Sequence, residues 1–252
     1  MHTQISFPSL ISRRSVVRQL SIATAGALVA PRVLSLMSND AHAALLGDQS
    51  RDVLNFALTL ERLESGFYAQ AVKTDGLIPP EHQDAFSRIA KNEALHVTLL
   101  GTVLLGQIDQ KTEFDYMAGG RFPDVFSNFQ TFLSVAQTFE DTGVRAYKGQ
   151  APNLMPNKLL LTVALKIHSV EARHAAQIRR IRGEKAWITG SSRGSLSGNS
   201  QASYDGDDSM EQGGVNLSGL KGVPNSAIGE AFDEPLTKEQ VLAIVQPFIK
   251  NG

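Results

Sequence analysis

Six residues could do chemistry together: Glu93 and His96 in NEALHVTLL, Glu171 and His174 in HSVEARHAAQ, and two glutamates that stand alone, Glu61 and Glu140. The first four make two ExxH pairs, 78 residues apart. On an α-helix, three residues turn the chain by about 300°, so each pair lies within about 60° of one face and one turn apart. Each lone glutamate precedes its ExxH pair by a similar interval, 32 residues for Glu61 and 31 for Glu140. A tyrosine follows each of them by seven, Tyr68 and Tyr147, on the same face two turns on. One helical hairpin, repeated, accounts for the whole pattern.

All six residues fall on faces that their apolar neighbours assign to a core. Four buried carboxylates without compensation would be very costly. Two divalent cations cancel four negative charges, and the histidines then bind as neutral nitrogen donors. With Glu93 and Glu171 shared, each ion has an oxygen from both, one lone glutamate and one histidine. That leaves positions open on metals that take about six ligands, and an open pair of redox metals invites dioxygen or peroxide. The chain has no cysteine, which removes disulfides, thiolate metal sites and thiol catalysis at once. The bland reading of the two ExxH pairs is a set of buried polar contacts. Glu64 competes with Glu61, but the tyrosine spacing favours Glu61 and leaves Glu64 beside the ligands or in solvent. Asp141 is rotated off the stripe, and His168 reads as a satisfied core histidine. Tyr68 and Tyr147 read either as electron relays or ligand-holding donors, or as ordinary core packing. His2, His42 and His82 are incidental.

The elements that must position these residues are four helices, expected at 52–72, 81–105, 123–148 and 158–182, each with an apolar stripe at helical spacing. Gly76, Pro79 and Pro80 end the first, and Gly106 is a stop for the second. Residues 107–122, with Gly119 and Gly120, are longer than an ordinary helix-to-helix turn. Two hairpins joined by a long crossover is the order of a four-helix bundle of the ferritin-like kind. From 189 to 222 the chain is dense in Gly, Ser, Asn and Asp and reads as irregular or mobile. LTKEQVLAIVQPFI then sets Thr237 and Gln240 at capping-box spacing, so a short docked helix is expected. The organisation is therefore an all-α bundle over 44–185 and an irregular extension over 186–252 that ends in a short helix. With 42% hydrophobic residues the chain can build a real core, and a net charge of −1 gives no electrostatic case for nucleic acid.

The lone-Glu and ExxH pattern resembles the ferritin-like superfamily, over about residues 52 to 182. Together with the ending AFDEPLTKEQVLAIVQPFI, it is similar to exported bacterial ferritin-like domain proteins related to plant desiccation-related proteins. The resemblance implies a dinuclear centre on Glu61, Glu93, His96, Glu140, Glu171 and His174, with two iron ions per chain and manganese as the alternative. It implies ferrous oxidation or reaction with oxygen or peroxide. A dimanganese catalase-like enzyme and a non-enzymatic stress or desiccation-related protein stay open, as does a homo-oligomer. Rubrerythrin-type peroxidases carry a rubredoxin-like cysteine site that this chain cannot build, and cage-forming ferritins usually lack so long a tail.

The N-terminus reads as an address. SRRSVVRQL places Arg13 and Arg14 before the apolar run SIATAGALVA, and Ala41-His42-Ala43 offers small residues to a signal peptidase. This resembles a twin-arginine export signal over residues 1–43, and hence a periplasmic or other extracytoplasmic destination. The run is short of the ~20 apolar residues that span a bilayer and is interrupted by Pro31 and Arg32, so no membrane attachment is expected after cleavage. Replacing Arg13 and Arg14 with lysine is expected to trap precursor in the cytoplasm. Fractionation that finds export unchanged would remove the assignment.

Overall fold

The computed structural model describes residues 46–104, 108 and 112–250. The expected export signal and its cleavage site, and Gly106, lie outside the described residues. Four long helices carry the fold: α1 (Asp48–Ala71), α2 (Pro80–Leu104), α3 (Phe129–Leu154) and α4 (Lys158–Ile181). α1 packs chiefly on α2 and α3 on α4, and the hairpins meet mainly along α1 and α3. Among the described residues, no helix is long and apolar enough to cross a membrane.

Local chemistry sets the helix ends. The Asn128 side chain accepts from the N–H groups of Gln130 and Thr131, and the Asn157 side chain accepts from Leu160, so two orphan helix starts are satisfied. The third helix thus starts later than the expected 123, because Asp124 and Asn128 hold that stretch in turns. It also runs past 148, through Pro152 to Leu154. Pro152 stands in the last turn, where its missing N–H loses a single intrahelical bond.

The interior is layered along the bundle axis. At one end Phe67, Tyr68, Phe86, Phe132 and Phe139 form an aromatic core, with Phe67 and Phe132 stacked at 5.1 Å. At the other end Leu54, Leu58, Leu100, Leu104, Leu160 and Ile167 form an aliphatic core. Between them every long helix contributes acids or histidines: Glu61 and Glu64 from α1, Glu93 and His96 from α2, Glu140 from α3, Glu171 and His174 from α4. The bundle is a polar slice between two apolar plugs.

The extension after α4 is irregular, as its composition implies, but it is tied down. Its pieces are a 3-10 turn (Gly198–Ser203), a hairpin of β1 (Glu211–Gln212) and β2 (Val215–Asn216), a short α5 (Asn225–Gly229) and α6 (Lys238–Val245). Gly213 and Gly214 both have positive φ at the hairpin turn, which favours glycine there. Thr237 and Gln240 form the expected capping box on α6. Beyond α6, Phe248 packs edge-on against Phe139 at 4.7 Å, and Lys250 N–H donates to Glu113 C=O in the crossover.

The anchor of this extension is the outward face of α3, which is polar and yet buried. Arg145 is 1% exposed and donates to three main-chain carbonyls, Glu234 at 2.7 Å, Ser203 at 2.7 Å and Asp205 at 3.0 Å, with Asp207 at 3.3 Å. Asp141, off the stripe that carries Glu140, is no solvent residue: Arg179 grips it at 3.1 and 2.5 Å, and the Tyr204 hydroxyl donates to it at 2.7 Å. The hydroxyls of Thr138 and Thr142, which donate along the helix, are hydrogen-bonded to those of Ser200 and Ser203. A Cβ at Gly149 would overlap the Leu236 carbonyl, so the chain crosses α3 where no side chain intervenes. Arg145→Met leaves the buried Asp207 and Ser203 carbonyl, and the part-buried carbonyls of Glu234 and Asp205, without their donor. It is expected to cost about 3–5 kcal/mol, the usual penalty for breaking a buried pair from one side. Thermal melts would show the loss, and limited proteolysis would then cut within 190–236 before the bundle; a variant as resistant as wild type would show that the anchor lies elsewhere.

Candidate metal centre

All six sequence-expected ligands converge in the polar slice. Glu61, Glu93, Glu140 and Glu171 are fully buried, and His96 and His174 nearly so. The amphipathic stripes that bury the leucines and phenylalanines carry these acids inward at the same helical phase. Two overlapping groups result: Glu61, Glu93, His96 and Glu171, and Glu93, Glu140, Glu171 and His174, each with one donor atom per residue within 4.8 Å of the others.

The two ExxH carboxylates are common to both groups, and each turns one oxygen to each histidine. Glu93 places Oε2 3.3 Å from His96 Nδ1 and Oε1 2.8 Å from His174 Nδ1. Glu171 places Oε1 3.0 Å from His96 Nδ1 and Oε2 3.8 Å from His174 Nδ1. The lone glutamates complete the ends, Glu61 Oε2 at 3.1 Å from His96 Nδ1 and Glu140 Oε2 at 3.4 Å from His174 Nδ1.

The tyrosines do not serve the glutamates on their own helices. Tyr68 donates to Glu140 Oε1 and Tyr147 donates to Glu61 Oε1, both at 2.5 Å. Each hairpin thus holds the other's glutamate by one oxygen and leaves Oε2 turned toward a histidine. The repeat explains the crossing, since an approximate two-fold relation between hairpins sets α1 against α3 with equivalent residues facing.

Proximity here is not pairing. Glu93 Oε1, Glu140 Oε2, both Glu171 oxygens and His174 Nδ1 are buried with no hydrogen-bond partner among the described residues, although all lie close to one another. A single N–H at each Nδ1 cannot serve the three carboxylates that crowd it. Lone pairs therefore converge on two points where only positive charge would relieve them. This is the condition that a pair of divalent cations with oxygen and nitrogen donors meets.

The electrostatics say the same in terms of protons. Burial works against a charged imidazole, yet the carboxylates of Glu171, Glu61 and Glu93 around Nδ1 outweigh it and push His96 up to about 12. His174 is raised for like reasons, with Glu140 its strongest ally against burial. Burial also opposes the charge of Glu93, but its contacts with His174 and His96 hold it down to about 2. Glu140 rises to about 8, first through burial and then through the charges of Glu171 and Glu93, against the pull of His174. Glu61 is raised well above the carboxylate range by burial and by Glu171. Without a metal, protons on the imidazoles and on Glu61 and Glu140 would have to stand in for it.

Other neighbours were less legible. Glu64 is buried rather than in solvent; desolvation first, then the charges of Glu171, Glu140, Glu93 and Glu61, raise it well above the carboxylate range. His168 is only half-buried, and its Nε2 is enclosed without a partner, so it is not the satisfied core histidine expected. Asn92 was missed: its amide lies 3.0 Å from His174 Nε2. With Nδ1 facing an ion, Nε2 carries the proton and Asn92 would present Oδ1, an orientation interchangeable with the one assigned. A polar residue directly before an ExxH pair, on a helix bordering the core, was the available signal.

No curated protein matches the sequence. A family model described as Ferritin-like domain matches residues 49–184, a span that holds the four long helices but for Asp48, the first residue of α1, and every residue of the cluster. On that match, with the two-hairpin bundle and its buried glutamate and histidine cluster, the chain belongs to the ferritin-like family.

Proposed function

We propose that this chain is an exported protein with a dinuclear metal centre, iron in preference to manganese, that oxidises ferrous iron or reacts with oxygen or peroxide. The observation that carries the reading is the convergence of five buried, unpartnered donor atoms, from Glu93, Glu140, Glu171 and His174, on one polar slice. Glu61, His96, Glu93 and Glu171 would hold one ion, and Glu140, His174, Glu93 and Glu171 the other. When bound, a pair of iron or manganese ions would supply one-electron redox chemistry toward oxygen species.

The protein's part is to pre-set the donors. Tyr147 and Tyr68 fix Glu61 and Glu140 through Oε1, so Oε2 is the oxygen offered to an ion and the carboxylates need not reorganise. The apolar plugs above and below keep bulk water from the slice. Four ligand carboxylates against two divalent ions leave the centre without net charge, which suits its burial. The preference for iron rests on the resemblance, and the export on the Arg13-Arg14 motif and the Ala41-His42-Ala43 site. The same donors suit manganese, and the resemblance to desiccation-related proteins keeps a purely protective role as the competing outcome.

Metal analysis of protein exported by its own host is expected to find about two ions per chain. Ferrous-loaded protein mixed with oxygen or peroxide should develop a ferric absorbance. Glu61→Ala and His174→Ala each remove an end ligand and should suppress it at least tenfold. Manganese with peroxide dismutation would replace iron oxidation with the catalase-like reading; no metal, and no oxidation above the variants, would leave the protective role.

Removing metal is expected to destabilise the bundle, because carboxylates left crowded in a low-dielectric slice must take up protons or repel. Each kcal/mol lost should lower the melting temperature by about 2–4 °C for a protein of this size. Equal melts with and without chelator, with metal loss confirmed, would contradict this.

A further inference from the structure

The two halves of the centre come from one repeat, so the places where the repeat is broken show where they differ. Glu61 and Glu140 stand 79 residues apart, and so do Tyr68 and Tyr147. The same offset pairs Glu64 with Gly143, and the 78-residue offset of the ExxH pairs matches Asn92 with Val170. At both positions one half has a polar side chain and the other has none.

Both breaks favour the same end. Asn92 lies within hydrogen-bonding distance of His174 Nε2, at 3.0 Å. Its counterpart Val170, which stands to His96 as Asn92 stands to His174, offers no hydrogen-bonding atom. Glu64 reaches into the space that Gly143 leaves: a Cβ there would lie 3.3 Å from Glu64 Oε1 and 3.9 Å from Glu171 Oε2. Oε2 is the Glu171 oxygen on the His174 side, and Gly143 is one turn from Glu140. The Glu140–His174 end therefore has an oriented imidazole and a fifth carboxyl group close by. Among the described residues, the Glu61–His96 end has no partner for the far nitrogen of its imidazole, and His96 is also the more exposed histidine, 8% against 4%.

Resting on the dinuclear reading above, we infer that the two ion positions are unequal: Glu140–His174 holds its ion tightly, and Glu61–His96 is the exchangeable position through which ions enter and leave. Asn92 acts as a positioning residue, fixing the ring and the basicity of His174 without touching the ion, and Glu64 adds oxygen density to the same end.

The test counts ions retained by full-length protein, loaded anaerobically with ferrous ion and equilibrated against rising chelator. Wild type should lose its ions in two steps, separated by about 10–100-fold in chelator, the usual weight of a partner to a metal-bound histidine. Asn92→Val should merge the steps by weakening the tight position, and Glu64→Leu should narrow them. Val170→Asn is the reciprocal change and should move the first step to higher chelator, a gain that general damage to the fold would not produce. Loss of both ions in one step by wild type, or a step spacing untouched by Asn92→Val and Val170→Asn, overturns the inference while leaving a dinuclear centre standing. A chain that retains no ion at any chelator concentration overturns the dinuclear reading itself, and this inference with it.

Discussion

Everything in this fold answers to one constraint: four carboxylates, Glu61, Glu93, Glu140 and Glu171, with Glu64 a fifth acid beside them, are buried at one level of a bundle whose own cations are elsewhere. The buried arginines, Arg145 and Arg179, are spent on Asp207 and Asp141 at the outer face of α3. Among the described residues, the two histidines are the only groups in the slice able to carry positive charge, and two cannot balance four. An apolar interior tolerates such a deficit only when charge comes from outside the polypeptide or protons neutralise the acids. The plugs of aromatic and aliphatic residues above and below sharpen the demand, since they supply the stability of the bundle and deny water to its middle.

The rest of the structure holds that slice in register. Tyr68 and Tyr147 cross between hairpins, so the glutamate of each half is oriented by the other, and the halves cannot slide without breaking two buried hydrogen bonds. The extension stabilises the same helix from behind. Arg145, Thr138 and Thr142 all face it, and Asp141 joins α3 to α4 through Arg179 and to the extension through Tyr204. Glu140 is flanked by these fixed residues, which makes its inward aim a property of the extension as well as of the bundle.

The buried cluster was legible because it obeys helical periodicity twice: a buried acid or histidine interrupts an apolar stripe, and the interruption recurs at a fixed offset. The four helices followed from the same stripes. What could not be read was contact across the interface. Seven-residue spacing places Tyr68 beside Glu61 on one face, yet its hydroxyl serves Glu140, because side chains two turns apart project to different levels while facing helices meet at equal ones. The extension's irregularity was legible, but its attachment to α3 was not, for a related reason. Gly, Ser, Asn and Asp cannot fill a core, but their hydroxyls and carbonyls can satisfy a polar helix face, and nothing in their composition distinguishes that role from mobility. The start of α3 slipped because apolar Val125 and Phe126 extend the stripe outward, while Asn128 supplies the actual cap.

Repetition also explains why the departures from it carry information. A duplicated hairpin closes on itself with equivalent residues opposed, and such symmetry lets one set of positions satisfy both halves of a bridging site. Symmetric halves would bind two ions alike. Differences on the outer surface, such as the extension over α3 with no counterpart at Gly66, where Tyr116 of the crossover packs instead, can be absorbed by whatever covers each hairpin. Differences inside the slice have no such freedom, because a packed core transmits the loss or gain of a side chain to its neighbours. Glycine at 143 opposite glutamate at 64 is a matched change: the carboxyl of one half occupies volume vacated by the other, so packing is conserved while a polar group stands in one half alone. Asymmetry in the ligand sphere is thereby obtained without disturbing the ligands themselves.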